Sequence, residues 1–199
     1  MLKSILFCLS FAVASSGWAG ELKTGEAAPD FSLPSASGSM VSLGQFKGKI
    51  VILEWFNKDC PYVHKFYDSK TMQRLQKDMA GKDVVWLTIT SSAESKEGHL
   101  TPAEAAQVAK EKGMASAALL LDDKGKVGRL YSAKTTPHMF IITKAGRIAY
   151  QGAIDDRPSA QPKTLEGASN YVVAAVEALQ KGQPVRSPST APYGCSVKY

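Results

Sequence analysis

The apolar residues of this chain fall into short runs whose period changes from two to nearly four and back, and that rhythm marks out its elements. Phe31-Ser-Leu33 and Met40-Val-Ser-Leu43 alternate on either side of the Ser-Ala-Ser-Gly stretch 35–38, which predicts a small N-terminal hairpin. Residues 50–56 form an almost unbroken apolar run of strand formers, the pattern of a strand buried on both faces. From Cys60 to about Met79 the spacing lengthens, and Val63, Phe66, Tyr67, Met72, Leu75 and Met79 make the apolar stripe of a helix. A second central strand is predicted over 84–90. Thr101-Pro-Ala-Glu104 reads as a capping box with proline at the first helical position, opening a helix that runs to Lys112 and stops at Gly113.

A third strand follows over 118–121, ended by Asp122-Asp-Lys-Gly125, and then a short helix over 127–132. Residues 139–143 and 148–151 flank Lys144-Ala-Gly-Arg147, a hairpin with glycine in its turn. The last helix spans 170–181 and is closed by Gly182 and Pro184. The order after the first hairpin is β-α-β-α-β-α-β-β-α. It predicts an α/β fold: a central mixed sheet with helices on both faces, an N-terminal β-hairpin extension, parallel crossovers first and an antiparallel hairpin last.

Composition changes this picture only at the ends. Residues 1–19 carry Lys3, an apolar stretch 5–14 and Gly17-Trp-Ala19, the layout of a secretory signal peptide and too short for a spanning helix. The expected organisation is therefore a signal at 1–19, one domain at 20–182 and an irregular, proline-rich tail at 183–199, in an exported, periplasmic-type protein. Cys8 leaves with the signal, and Cys60 and Cys195 remain, either as a bridge or as a redox pair. With 44% hydrophobic and 21% charged residues the chain is ordinary for a globular domain, and no other run suggests stable membrane insertion. The net charge of +6 comes from scattered lysines rather than a basic stripe, which argues against nucleic acid as a partner.

The chemistry centres on Cys60, placed where a strand empties into a helix. A helix N-terminus and Lys58 favour the thiolate, Asp59 opposes it, and His64 lies one turn on, where it could protonate a departing thiol. His64 could equally serve as plain helix surface. Glu54 interrupts the apolar strand, either as a proton relay or as an acid paired with a lysine. Trp55, Phe56 and Trp86 read as core, and Asp155-Asp156 as the end of a strand. Thirteen residues from Gly182 can span about 40 Å at ~3.3 Å each, so the tail can carry Cys195 to Cys60. Tyr193 and Tyr199 would dock it on an apolar groove. Cys195 is then a resolving thiol, a permanent bridge or an intermolecular one.

Gly25-Glu-Ala-Ala-Pro-Asp-Phe-Ser-Leu33, Phe46-Lys-Gly-Lys-Ile-Val-Ile-Leu53, Cys60-Pro-Tyr-Val63, Thr135-Thr-Pro-His-Met-Phe140 and Gln151-Gly-Ala-Ile-Asp-Asp156 carry a resemblance. Over residues 22–180 the chain resembles the thioredoxin fold, and within it the peroxiredoxin-like redoxins of the alkyl hydroperoxide reductase/thiol-specific antioxidant family. The resemblance implies that Cys60 is a nucleophile toward peroxide or a protein disulfide. It implies that Thr136 and a cis Pro137 face Cys60 and pair with substrate, with His138 as pocket wall and Glu54 as the buried acid. No cofactor is implied, and the partners are an external thiol reductant or a disulfide-bearing protein. The motif also departs from the family. Val63 stands where a reductant has its second cysteine, and Leu53 and Asn57 replace the proline and hydroxyl residue that precede a peroxidatic cysteine. Arg129 and Arg147 are the candidates for the transition-state arginine. Two further readings follow: an inactive binding module that kept the fold, and a copper chaperone with a Cys60/His64/His138 site.

Overall fold

A computed structural model describes residues 22–199; the proposed signal at 1–19, with Cys8, lies outside the described residues. Strands β1 (Ser32–Pro34) and β2 (Met40–Ser42) form the expected hairpin. Five strands make the central sheet: β3 (Ile50–Trp55), β4 (Val84–Thr90), β5 (Ala118–Leu121), β7 (His138–Ile142) and β8 (Ile148–Gly152), in the order β5-β4-β3-β7-β8. The first three are parallel and the last two antiparallel, so the sheet is mixed. All six residues of β3 are buried, as an apolar run with no polar alternation requires.

The predicted helix from Cys60 to Met79 is two helices, α1 (Pro61–Asp68) and α2 (Thr71–Ala80). The break has a local cause. Ser69 donates its hydroxyl back to the carbonyls of Lys65 and Phe66, and Lys70 turns left-handed at φ 61°. Helix α3 (Pro102–Lys112) has the full Thr101/Glu104 capping box and ends on left-handed Gly113. Helices α4 (Lys126–Leu130) and α5 (Tyr171–Gln180) complete the set.

The alternation of β3 divides the core. Ile50, Ile52 and Phe56 pack with α1, α2, α3 and α5, while Val51, Leu53 and Trp55 pack with the hairpin and α4. The sheet is thus flanked by helices on both faces, four on one and one on the other. Among the described residues no helix is long and apolar enough to cross a membrane.

The tail is more ordered than its composition predicts. Gln151 donates its backbone N–H to Pro188 and accepts one from Thr190, and Val197 donates to Lys134. Between these points β9 (Cys195–Ser196) pairs antiparallel with β6 (Thr135–Thr136), the short strand ahead of β7.

Candidate active site

Strand β3 ends against the loop 56–59, and Cys60 is the N-cap of α1 with Pro61 at the first helical position. The backbone carbonyl of Cys60 accepts the N–H groups of Val63 and His64, both at 2.9 Å. Its side chain is fully buried, and Sγ donates to the carbonyl oxygen of Thr136 at 3.0 Å. The Thr136–Pro137 peptide is cis. Opposite Thr136 in the β6–β9 register stands Cys195.

Both cysteines are free thiols. The Cys195 thiol is pushed up to about 12, first by burial and then by its hydrogen bond with Cys60 and the charge a Cys60 thiolate would carry. Cys60, Thr136, Pro137 and Cys195 therefore form one cluster. The Thr136 hydroxyl oxygen is one of two buried side-chain atoms without a hydrogen-bond partner among the described residues.

Three other sequence-derived candidates lie outside that cluster. Glu54 is fully buried on the Cys60 side of the sheet, and its carboxyl accepts from Tyr67, Gln76, Trp86 and Thr88 at 2.8–3.3 Å. Burial raises it to about 7, against the lowering pull of those hydrogen bonds, with Trp86 the strongest. Neither a lysine nor Cys60 is among its partners, so of the two readings of Glu54 the pairing with a lysine is not the one that forms. His64 points outward, with Nδ1 3.0 Å from Asp68 and 3.5 Å from the Lys112 ammonium, because α1 turns that position toward solvent. The geometry is that of helix surface rather than of an acid aimed at Cys60.

His138 is buried, and its Nδ1 accepts the Lys134 N–H. Burial and then the Lys134 charge lower it to about 3, so the ring is neutral at physiological pH. Strand alternation sends it to the face away from Cys60. There its ring lies 4.6 Å from that of Phe140, and it lines a cleft of about 360 Å³ beneath tail residues 189–192. Among the described residues no group of His, Cys, Asp and Glu could hold a metal ion, so the Cys60/His64/His138 copper site does not form. The candidate arginines are also engaged elsewhere: Arg129 with the Lys124 carbonyl and the Tyr199 ring, Arg147 with the Gly25 carbonyl.

The residues that sequence reasoning missed are those that hold the tail. Lys65, one turn past Cys60, has a fully buried side chain whose ammonium lies 3.4 Å from Asp155 and 2.9 Å from the Arg157 carbonyl. Burial lowers the Lys65 ammonium, and the Asp155 charge opposes that effect. The Tyr193 hydroxyl donates to Asp155 in a short hydrogen bond, and its ring packs 5.8 Å from that of Tyr62. Asp155 is thus the socket for the tail rather than a mere strand end. Tyr199 is held by its hydroxyl on the Ala133 carbonyl and by the Arg129 guanidinium 4.4 Å from its ring. The tail docks through these polar anchors and also through Tyr193 and Cys195, which pack against the apolar core as expected. No local pattern marks Lys65 or Asp155, since their partners lie 90 and 38 positions along the chain.

A parallel-then-antiparallel sheet, with a thiol at the head of α1 facing a cis-proline loop, defines a thioredoxin-fold redoxin. The chain belongs to the AhpC/TSA family, whose model matches residues 24–151. It is 30% identical over 128 residues to the thioredoxin-like protein YneN of Bacillus subtilis (strain 168), spanning 64% of this chain and 69% of that one. An uncharacterized conserved protein from Geobacillus kaustophilus superposes with a TM-score of 0.78 at 27% identity, covering 89% of this chain and 93% of its own. A hypothetical protein from Sinorhizobium meliloti 1021 has the same TM-score at 25% identity, covering 90% and 96%.

Proposed function

We propose that the protein is an exported thiol-dependent oxidoreductase in which Cys60 is the nucleophile and Cys195 the resolving thiol. The observation that carries this reading is the register of β9, which sets Cys195 opposite the residue whose carbonyl holds the Cys60 thiol. With a hydroperoxide, the Cys60 thiolate attacks one peroxide oxygen, the O–O bond breaks, and the alcohol or water leaves with a proton. Cys60 becomes a sulfenic acid. Cys195 attacks that sulfur, water departs, and a Cys60–Cys195 disulfide forms; two thiols of an external donor then reduce it. With a protein disulfide, Cys60 instead forms a mixed disulfide that Cys195 resolves. Cys195 takes the part that Val63 leaves empty.

Single-turnover mass spectrometry tests the assignment. Cys60→Ser should abolish turnover, whereas Cys195→Ser should accumulate a Cys60 sulfenate or mixed disulfide. Full peroxidase and disulfide-exchange activity in Cys60→Ser would end the proposal.

A further inference from the structure

The docked tail uses the same backbone edge that an extended substrate would need. Thr136 has its strand partner in Cys195, and the tail is fastened on both sides of that pair. Upstream, Thr190 is bonded to Gln151 and Tyr193 to Asp155; downstream, Val197 is bonded to Lys134, Lys198 to Ala93 and Tyr199 to Ala133. Beneath it Cys60 is fully buried although both thiols are free, so the cover does not depend on a disulfide.

The fit is close. A Cβ on Gly194 (φ +137°) would lie 2.1 Å from the Thr136 carbonyl oxygen, and one on Gly128 would lie 2.6 Å from the Tyr199 ring. Such contacts admit only hydrogen. We infer that the tail is a substrate filter: it shuts the Thr136 edge against extended polypeptides and leaves Cys60 to small hydroperoxides. A polypeptide disulfide must lift residues 193–197 to bring its sulfur in line with Cys60. A hydroperoxide needs only a brief local opening of the kind every packed segment undergoes.

This inference rests on Cys60 as nucleophile, and the experiment separates the two. The consumption of the Cys60 thiol is followed by mass spectrometry in single turnover, with hydrogen peroxide or with insulin as a disulfide-bearing polypeptide. The intact chain should react with peroxide and at least tenfold more slowly with insulin at equal concentration. Gly194→Ala should raise the insulin rate tenfold or more, and Tyr193→Phe, which keeps the ring and removes the bond to Asp155, should raise it severalfold. Gly81→Ala, at φ -62° and with an added Cβ making only ordinary 3.6 Å contacts, should change neither rate. Insulin reduction by the intact chain as fast as by Gly194→Ala, or no gain in either tail variant, overturns the filter and leaves Cys60 as nucleophile. Cys60 inert to both oxidants in every variant overturns both proposals.

Discussion

Among the described residues Glu54, Asp122 and Asp155 are buried carboxylates, and the surroundings of the first and the last differ in kind. Glu54 sits in the middle of the sheet among four neutral donors, all from α1, α2 and β4. Asp155 lies past the end of β8 with a lysine ammonium on one side and the tail's Tyr193 on the other. The first cluster draws all its partners from within the domain. The second is complete only when the tail arrives. Burial holds the Glu54 carboxyl up although its four donors pull it down, whereas Asp155 has the Lys65 ammonium beside it and grips the Tyr193 hydroxyl in a short hydrogen bond. The difference separates a polar cluster closed within the sheet and its helices from one that takes a residue of the tail.

The comparison breaks most visibly at Lys65. Lys65→Met strands Asp155 as a buried charge without its cation and should destabilise the protein by about 3–5 kcal/mol in urea unfolding at neutral pH. A loss below about 1 kcal/mol would mean that the pair carries no net charge interaction. The Glu54 cluster should answer to pH instead. Its pKa is raised from 4.5 to about 7 in the native state, so between those values the folded chain keeps a proton that the unfolded chain has released. The associated stability is whole below pH 4.5 and is lost as pH rises through 7, a change of about 3 kcal/mol.

Stability of Glu54→Gln should lack that slope when compared with the parent across the window. An unchanged slope would assign the titration to another group. The smallest effect belongs to Tyr193→Phe. Removing its bond to Asp155 should weaken tail docking by about 1–2 kcal/mol, read as roughly tenfold faster amide exchange at Val197 with little change in global unfolding. Equal exchange in the two proteins would erase the distinction between the clusters.

Much of this could be read from the sequence, and the boundary is a physical one. The unbroken run at 50–56 and the capping box at 101–104 are local signals, and both elements formed where the signals lay. Cys60 at the head of a helix and the Thr136–Pro137 loop were legible for the same reason. The break at Lys70 was legible but easily passed over: the apolar positions step by five from Tyr67 to Met72, which turns the stripe to nearly the opposite side of a continuous helix. Lys65 reads as solvent-facing, since helix periodicity gives no hint of a distant aspartate and tyrosine. The tail was hardest. A two-residue strand has no period of its own, and only contact with β6 gives β9 its register. Glycine at 194 looks like an ordinary turn residue until the Thr136 carbonyl is found against its Cα.

The order in which the chain is made gives the tail's position another consequence. Translation runs from Cys60 toward Tyr199, at about 5–20 residues per second. For several seconds of synthesis, α1 and the Thr136 loop can exist without the strand that hides Cys60. The nascent protein therefore passes through a stage in which its most guarded sulfur is open to any passing oxidant or thiol. Maturation of the thiol is complete only when Cys195 and Ser196 have paired with Thr135 and Thr136.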